Sequence, residues 1–157
     1  MSGPAFHRIA VVTDGSEHAS RALQVAIDLA KRYDAELTIL AIAPLVPVFP
    51  TPNEPFVPAA VPETALPRFR EIVEAAVAEA RAAGLTAVTG MCGEGVVVEE
   101  ILEYVRRHSV DLLIAGSRGL STAKRILLGS VSTGLVTHAP CPVLVVRPVA
   151  TPPSGRS

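Results

Sequence analysis

Gly116, Gly119, Gly129 and Ser130 are spaced to hold an anion. Glycine lets backbone N–H groups come close to a charged oxygen, and hydroxyls at a helix start add further donors. Gly116-Ser117-Arg118-Gly119 follows directly on Leu112-Leu113-Ile114-Ala115, which reads as a buried strand. Gly129-Ser130-Val131-Ser132 then opens a short helical pattern. Charge points the same way. Asp111 is the last acidic residue, yet Arg118, Lys124, Arg125, Arg147 and Arg156 follow it. A phosphate at this helix start would feel a field equivalent to about half a unit charge. Near the amino terminus, Thr13-Asp14-Gly15-Ser16 closes another apolar run. A carboxylate at a strand's carboxyl end suits ribose hydroxyls. Asp-Gly-Ser is equally ordinary turn chemistry.

The elements that must position these residues are legible from periodicity. Ile9-Ala10-Val11-Val12-Thr13 is a continuous apolar strand, with Ser16 an N-cap and Glu17 favourable to the helix dipole. Ala19, Ala22, Leu23, Ala26, Ile27 and Ala30 fall on one helical face, and Leu37 to Ile42 form a second strand. Residues 44–67 carry eight of the fourteen prolines and are expected to be an excursion loop, without helix or central strand. Phe69, Ile72, Val73, Ala76, Val77 and Ala80 mark the next helix, and Thr86 to Met91 a modest third strand. Val97, Val98, Ile101, Leu102 and Val105 mark a third helix, with 110–115 as the fourth strand. Val131, Leu135 and Val136 mark a fourth helix and Val143 to Val146 a fifth strand, before a frayed tail over 149–157. This alternation predicts one α/β domain over 1–157: a doubly wound, Rossmann-like, five-stranded parallel sheet with helices on both faces. In that architecture ligands bind outside the strand carboxyl ends, at a topological switch point.

Composition narrows the function classes. A chain of 157 residues can bury about 70% of its unfolded surface, so it needs no disulfide to hold a core. Its 49% hydrophobic and 4% aromatic content implies a core of Val, Leu, Ile and Ala, as in a covered parallel sheet. Net charge −1 gives no support for nucleic acid or a membrane surface as partner. Cys92 and Cys141 are far apart and read as packing thiols in a reducing compartment. No basic start with a long apolar core and no membrane-length apolar run is present, so the expectation is a cytoplasmic protein. His7, His18, His108 and His138 show no ligand spacing, so no protein-held metal is expected.

With these segments in place the chain resembles the universal stress protein family. Gly116, Gly119, Gly129 and Ser130 meet its G-x2-G-x9-G-[ST] pattern. His138-Ala139-Pro140-Cys141-Pro142 and the strand after it resemble the family's closing segment, and Val12 to Ser16 its opening. The likeness covers residues 7–148. The glycine pattern belongs to the ATP-binding branch, so the resemblance implies ATP, accompanied by Mg²⁺ or Mn²⁺. It would place Asp14 on the ribose with Thr13 beside it, and Ala41 and Ile42 along the adenine. Gly116, Ser117, Arg118, Gly119, Gly129, Ser130, Val131 and Ser132 would surround the phosphates. Family members often pair along the last strand, which implies a homodimer through Val143–Arg147. One departure is Val97, where many relatives have a proline.

Rival readings are weaker. Ala115-Gly116-Ser117-Arg118-Gly119 imitates a nucleophile elbow, but no acid follows Asp111 to complete a hydrolase order. No G-x-x-x-x-G-K-[ST] is present, and Asp14 is the one carboxylate near the loop, so ATP hydrolysis is expected to be slow at most. The expected role is a nucleotide-dependent switch or sensor in stress response. Cyclic AMP binding, or a nucleotide-free interaction protein of the same fold, are the alternatives.

Overall fold

The computed structural model describes residues 6–45, 60–118 and 128–148. In chain order the elements are β1 (Arg8–Val12), α1 (Glu17–Tyr33), β2 (Glu36–Pro44), α2 (Ala65–Ala82), β3 (Val88–Gly95), α3 (Val97–Arg107), β4 (Leu112–Gly116), α4 (Ser130–His138) and β5 (Val143–Val146). The five strands form one sheet in the order β3-β2-β1-β4-β5, and every pairing is parallel. The expected α/β architecture is therefore present. The chain winds outward from β1 to β3, crosses back to β4, and so places its topological switch between β1 and β4.

The apolar stripes dictate how the layers meet. On α1 the buried residues are Ala19, Ala22, Leu23, Ala26, Ile27 and Ala30, the face expected from their spacing. They pack with Ile9, Val11, Leu37, Ile39 and Ile114 on one side of the sheet, joined by Ala76 and Ala80 of α2. Ile101, Leu102 and Val105 of α3 and Leu135 of α4 cover the other side over Ala10, Leu40 and Leu113. Each large side chain buried this way contributes about 1.5–3 kcal/mol relative to exposure. Ser16 caps α1 as expected, its Oγ accepting from the Ala19 N–H at 3.2 Å. Asp34, in the left-handed region at φ 53°, ends the helix.

The proline-rich stretch is shorter than expected at both ends, because β2 runs through Pro44 and α2 begins at Ala65. Pro44 is tolerated because its missing N–H falls on the side of β2 that β1 has already left: the β1 pairing stops at Val12↔Leu40. Pro67 lies in the first turn of α2, where an N–H would have no intrahelical partner anyway. Residues 46–59 lie outside the described residues, as does the expected tail at 149–157. The third strand also differs, starting at Val88 and continuing to Gly95. Gly95 has φ +140°, a conformation that favours glycine, and a Cβ on Gly93 would come within 3.1 Å of Ile42 Cδ1 and press on it. Cys92 and Cys141 are both free and half-buried. Burial is the main influence that pushes each thiol's pKa up.

Candidate functional site

The carboxyl ends of β1, β2 and β4 open on a cavity of about 270 Å³ at the switch point. β1 delivers Val12, Thr13 and Asp14 to its wall. The Thr13 N–H donates to Leu40 O at 2.8 Å, the last tie between β1 and β2. Its Oγ1 then accepts from the Gly15 N–H at 3.2 Å, and Asp14 Oδ1 accepts from the Ser16 N–H at 2.9 Å. The turn is thus fixed by its own side chains, with Gly15 at φ +80°. Asp14 shapes the turn, as its Asp-Gly-Ser context suggested, and also lines the cavity.

β2 supplies Ile42 and Pro44. Along a strand, backbone groups alternate between the two neighbours. Leu40 directs its carbonyl toward β1, so Ile42 directs its N–H and C=O to the same side, past the point where β1 turns away. An adjacent donor and acceptor therefore face the crevice from one residue. Ala41 has the opposite parity. It is paired with Cys92 of β3, fully buried beside Phe69 and Val73, and does not line the cavity.

β4 ends at Gly116, whose position is set by packing as well as by any ligand. A Cβ there would lie 2.9 Å from His18 O in the backbone of α1, which cannot yield as a side chain can. Two hydrogen bonds then tie α4 to this strand end: Ser132 Oγ donates to Gly116 O, and the Gly129 N–H donates to Ser117 O at 2.7 Å. Ser117 is 2% exposed, donates its N–H to Val146 O, and stays out of the cavity. A nucleophile elbow needs an exposed hydroxyl, so this burial removes the hydrolase reading.

Gly129, Ser130, Val131 and Ser132 all line the cavity, so the first turn of α4 opens onto it. Gly129 is the N-cap in an extended conformation, no side chain caps the helix, and no acid lies in its first turn. Helix geometry leaves the first N–H groups without intrahelical acceptors, and the dipole makes this end positive. Half-buried Arg118 adds a guanidinium to the lining. Gly119, Lys124 and Arg125 lie outside the described residues. Among the described residues no group of three His, Cys, Asp or Glu could hold a metal ion. No helix among them is long and apolar enough to cross a membrane.

The structure thus brings together Thr13, Asp14, Ile42, Gly116, Arg118, Gly129, Ser130, Val131 and Ser132, and leaves Ala41 and Ser117 aside. It adds Val12, Ala19, Pro44, Phe69, Val97 and Ala115. These six are apolar, and in the sequence they merge with the core stripes. The available signal was positional: Phe69 and Val97 stand near the starts of helices that follow or precede strand carboxyl ends.

Comparison with known proteins follows this geometry. The model of the "Universal stress protein family" matches residues 5–147. The chain is 35% identical over 150 residues to the universal stress protein YxiE of Bacillus subtilis, covering 90% of this chain and 99% of that one. It is 37% identical over 143 residues to a universal stress protein of Thermus aquaticus, with 90% and 99% covered. Among solved structures it is similar to a universal stress protein in complex with cyclic AMP: TM-score 0.69, 28% identity, 92% of this chain and 98% of that chain covered. Sheet order, matched span and near-full-length relatives agree, and the chain belongs to the universal stress protein family.

Proposed function

We propose that this protein binds an adenine nucleotide in the cavity between β1 and β4, with ATP and its accompanying Mg²⁺ or Mn²⁺ as the ligand. The observation that carries the reading is the first turn of α4, which no side chain caps, facing that cavity with Ser130 exposed at its start. Phosphate oxygens would be met by the N–H groups of that turn, by the Ser130 hydroxyl and by Arg118, while the Ser132 hydroxyl, donated to Gly116 O, holds the turn against β4. The metal would be held chiefly by phosphates and water. Asp14 would accept from ribose hydroxyls. The base would lie against Ile42, Pro44, Phe69 and Val97, reading the N–H and C=O of Ile42 with its hydrogen-bonding edge. Thr13 stands in the wall beside the ribose, its Oγ1 accepting from the Gly15 N–H while its own hydroxyl proton can still be donated.

The role that follows is a nucleotide-dependent switch or sensor in stress response, acting in the cytoplasm. Fast catalysis is not part of it: among the described residues Asp14 is the one carboxylate on the lining, and a positioned base for an attacking water is what rapid turnover requires. The protein would pair with a second copy along the outer edge of β5. A second ligand reading, cyclic AMP, is supported by the complex of a 28% identical relative. Calorimetric titration of nucleotide-stripped protein with ATP, ADP, cyclic AMP and GTP separates these readings. One-to-one binding of ATP, tighter than GTP, is expected. Heat only from cyclic AMP would reassign the ligand, and heat from none would leave the interaction-protein alternative.

A further inference from the structure

The amino ends of β1, β2 and β3 enclose a second cavity, about 370 Å³, walled by the last turn of α3. It lies at the opposite end of the strands from the α4 cleft and owes nothing to the nucleotide reading. Its floor carries hydroxyls where the sheet is otherwise apolar. Thr38 interrupts the buried run of β2, Thr89 is its register partner on β3, and Tyr104 reaches in from α3. The Tyr104 hydroxyl donates to Thr38 Oγ1 at 3.3 Å, and the Oγ1 atoms of Thr38 and Thr89 lie 3.4 Å apart. These are long contacts, and three hydroxyls in a chain retain donor and acceptor capacity for a further partner.

The lining also carries charge of both signs. Arg8, Arg107 and His108 stand on it, and Glu36 is its carboxylate. Arg8 and Glu36 approach only to 4.0 Å, and both are mostly exposed. Such a pair costs little to replace with a ligand's own charges. Arg107 is held at 3.0 Å by Glu103, one helical turn away, which orients it without burying it. The guanidiniums favour a carboxylate. Glu36 and the negative, carbonyl end of α3 oppose a ligand of high negative charge and favour an ammonium beside that carboxylate. We propose that this groove binds a small zwitterionic carboxylate of the α-amino acid class, its carboxylate toward Arg8 and the threonine hydroxyls and its ammonium toward Glu36.

The test is an amide NMR titration of the full-length protein with L-serine as probe, repeated with succinate and inorganic phosphate. L-Serine taken to about 20 mM, roughly twenty times a millimolar Kd, is expected to shift the amides of Thr38, Thr89 and residues 107–110. The amides of Asp14, Ile42 and Gly129 stay in place. Arg8→Gln and the near-isosteric Thr89→Val each weaken serine binding about tenfold and leave the melting temperature and nucleotide affinity unchanged. Groove shifts that are absent with serine, or that titrate with unchanged affinity in both variants, overturn the site. Succinate or phosphate binding more tightly than serine overturns the assignment of ligand class.

Discussion

Ser130 is exposed at the first position of α4, where a negative charge should stabilise the helix but repel a phosphate. Ser130→Asp is therefore expected to raise the stability of the free protein slightly, by about 0.3–1 kcal/mol, while lowering ATP affinity at least tenfold. Calorimetry and thermal unfolding of one variant read the two effects with opposite signs. Gly116 is a poorer probe, because any side chain there meets the α1 backbone and perturbs packing before it perturbs a ligand. The glycine spacing was legible in the sequence, but this second duty of Gly116 was not, since it depends on where α1 crosses β4. Cys92 and Cys141 make a separate residue-scale case. Burial pushes both thiols above their ordinary pKa, so less thiolate exists at a given pH. Iodoacetamide should modify both more slowly than an exposed model thiol at pH 8. The rate should keep rising at pH values where the model thiol has levelled off; a rate equal to the model's would contradict the burial effect.

At the scale of elements, α2 links packing to the site. Phe69 at one end lines the cavity, while Val73 and Val77 farther along sit over Gly90 of β3. A Cβ on Gly90 would collide with Val73 Cγ1 and lie 2.9 Å from Val77 Cγ2, so α2 must shift to accept it. Gly90→Ala should cost about 1–3 kcal/mol in denaturant unfolding. It should also weaken nucleotide binding, because Phe69 moves with its helix; unchanged affinity would show that Phe69 is only a core residue. The helical stripes and strand order of this layer follow from the apolar periodicity of residues such as Ala19 to Ala30. The ends of β2 and β3 did not. Pro44 was counted into the loop, whereas the structure uses it at the end of β2, where β1 no longer needs a donor, and β3 runs on to Gly95, whose φ of +140° favours glycine.

Across the whole molecule the sheet has two unlike ends. The carboxyl end gathers an uncapped helix start and an apolar wall; the amino end gathers hydroxyls and paired charges. Among the described residues β5 leaves one edge unpaired, with Leu144 and Val136 among the exposed large hydrophobics. If a second copy covers that edge, Leu144→Lys should move the protein from dimer to monomer in sedimentation equilibrium; an unchanged mass would place any dimer elsewhere. The fold, and the end of the sheet at which the cleft opens, were legible because a βαβ alternation has few packings. The apolar half of the cleft was legible at Ile42 but not at Val12, Phe69 and Val97, which look like core until the switch point shows which strand ends are left open.

The most direct measurement is thermal unfolding of nucleotide-stripped protein with and without Mg·ATP, beside Ser130→Asp under the same conditions. A ligand at one hundred times its Kd adds about 2.7 kcal/mol, which for a domain of this size is a rise of roughly 5–11 °C. The account predicts that rise in the parent protein and, at the same ATP concentration, no more than about half of it in Ser130→Asp. No rise in the parent, or an equal rise in both, would contradict the assignment of the phosphates to the start of α4.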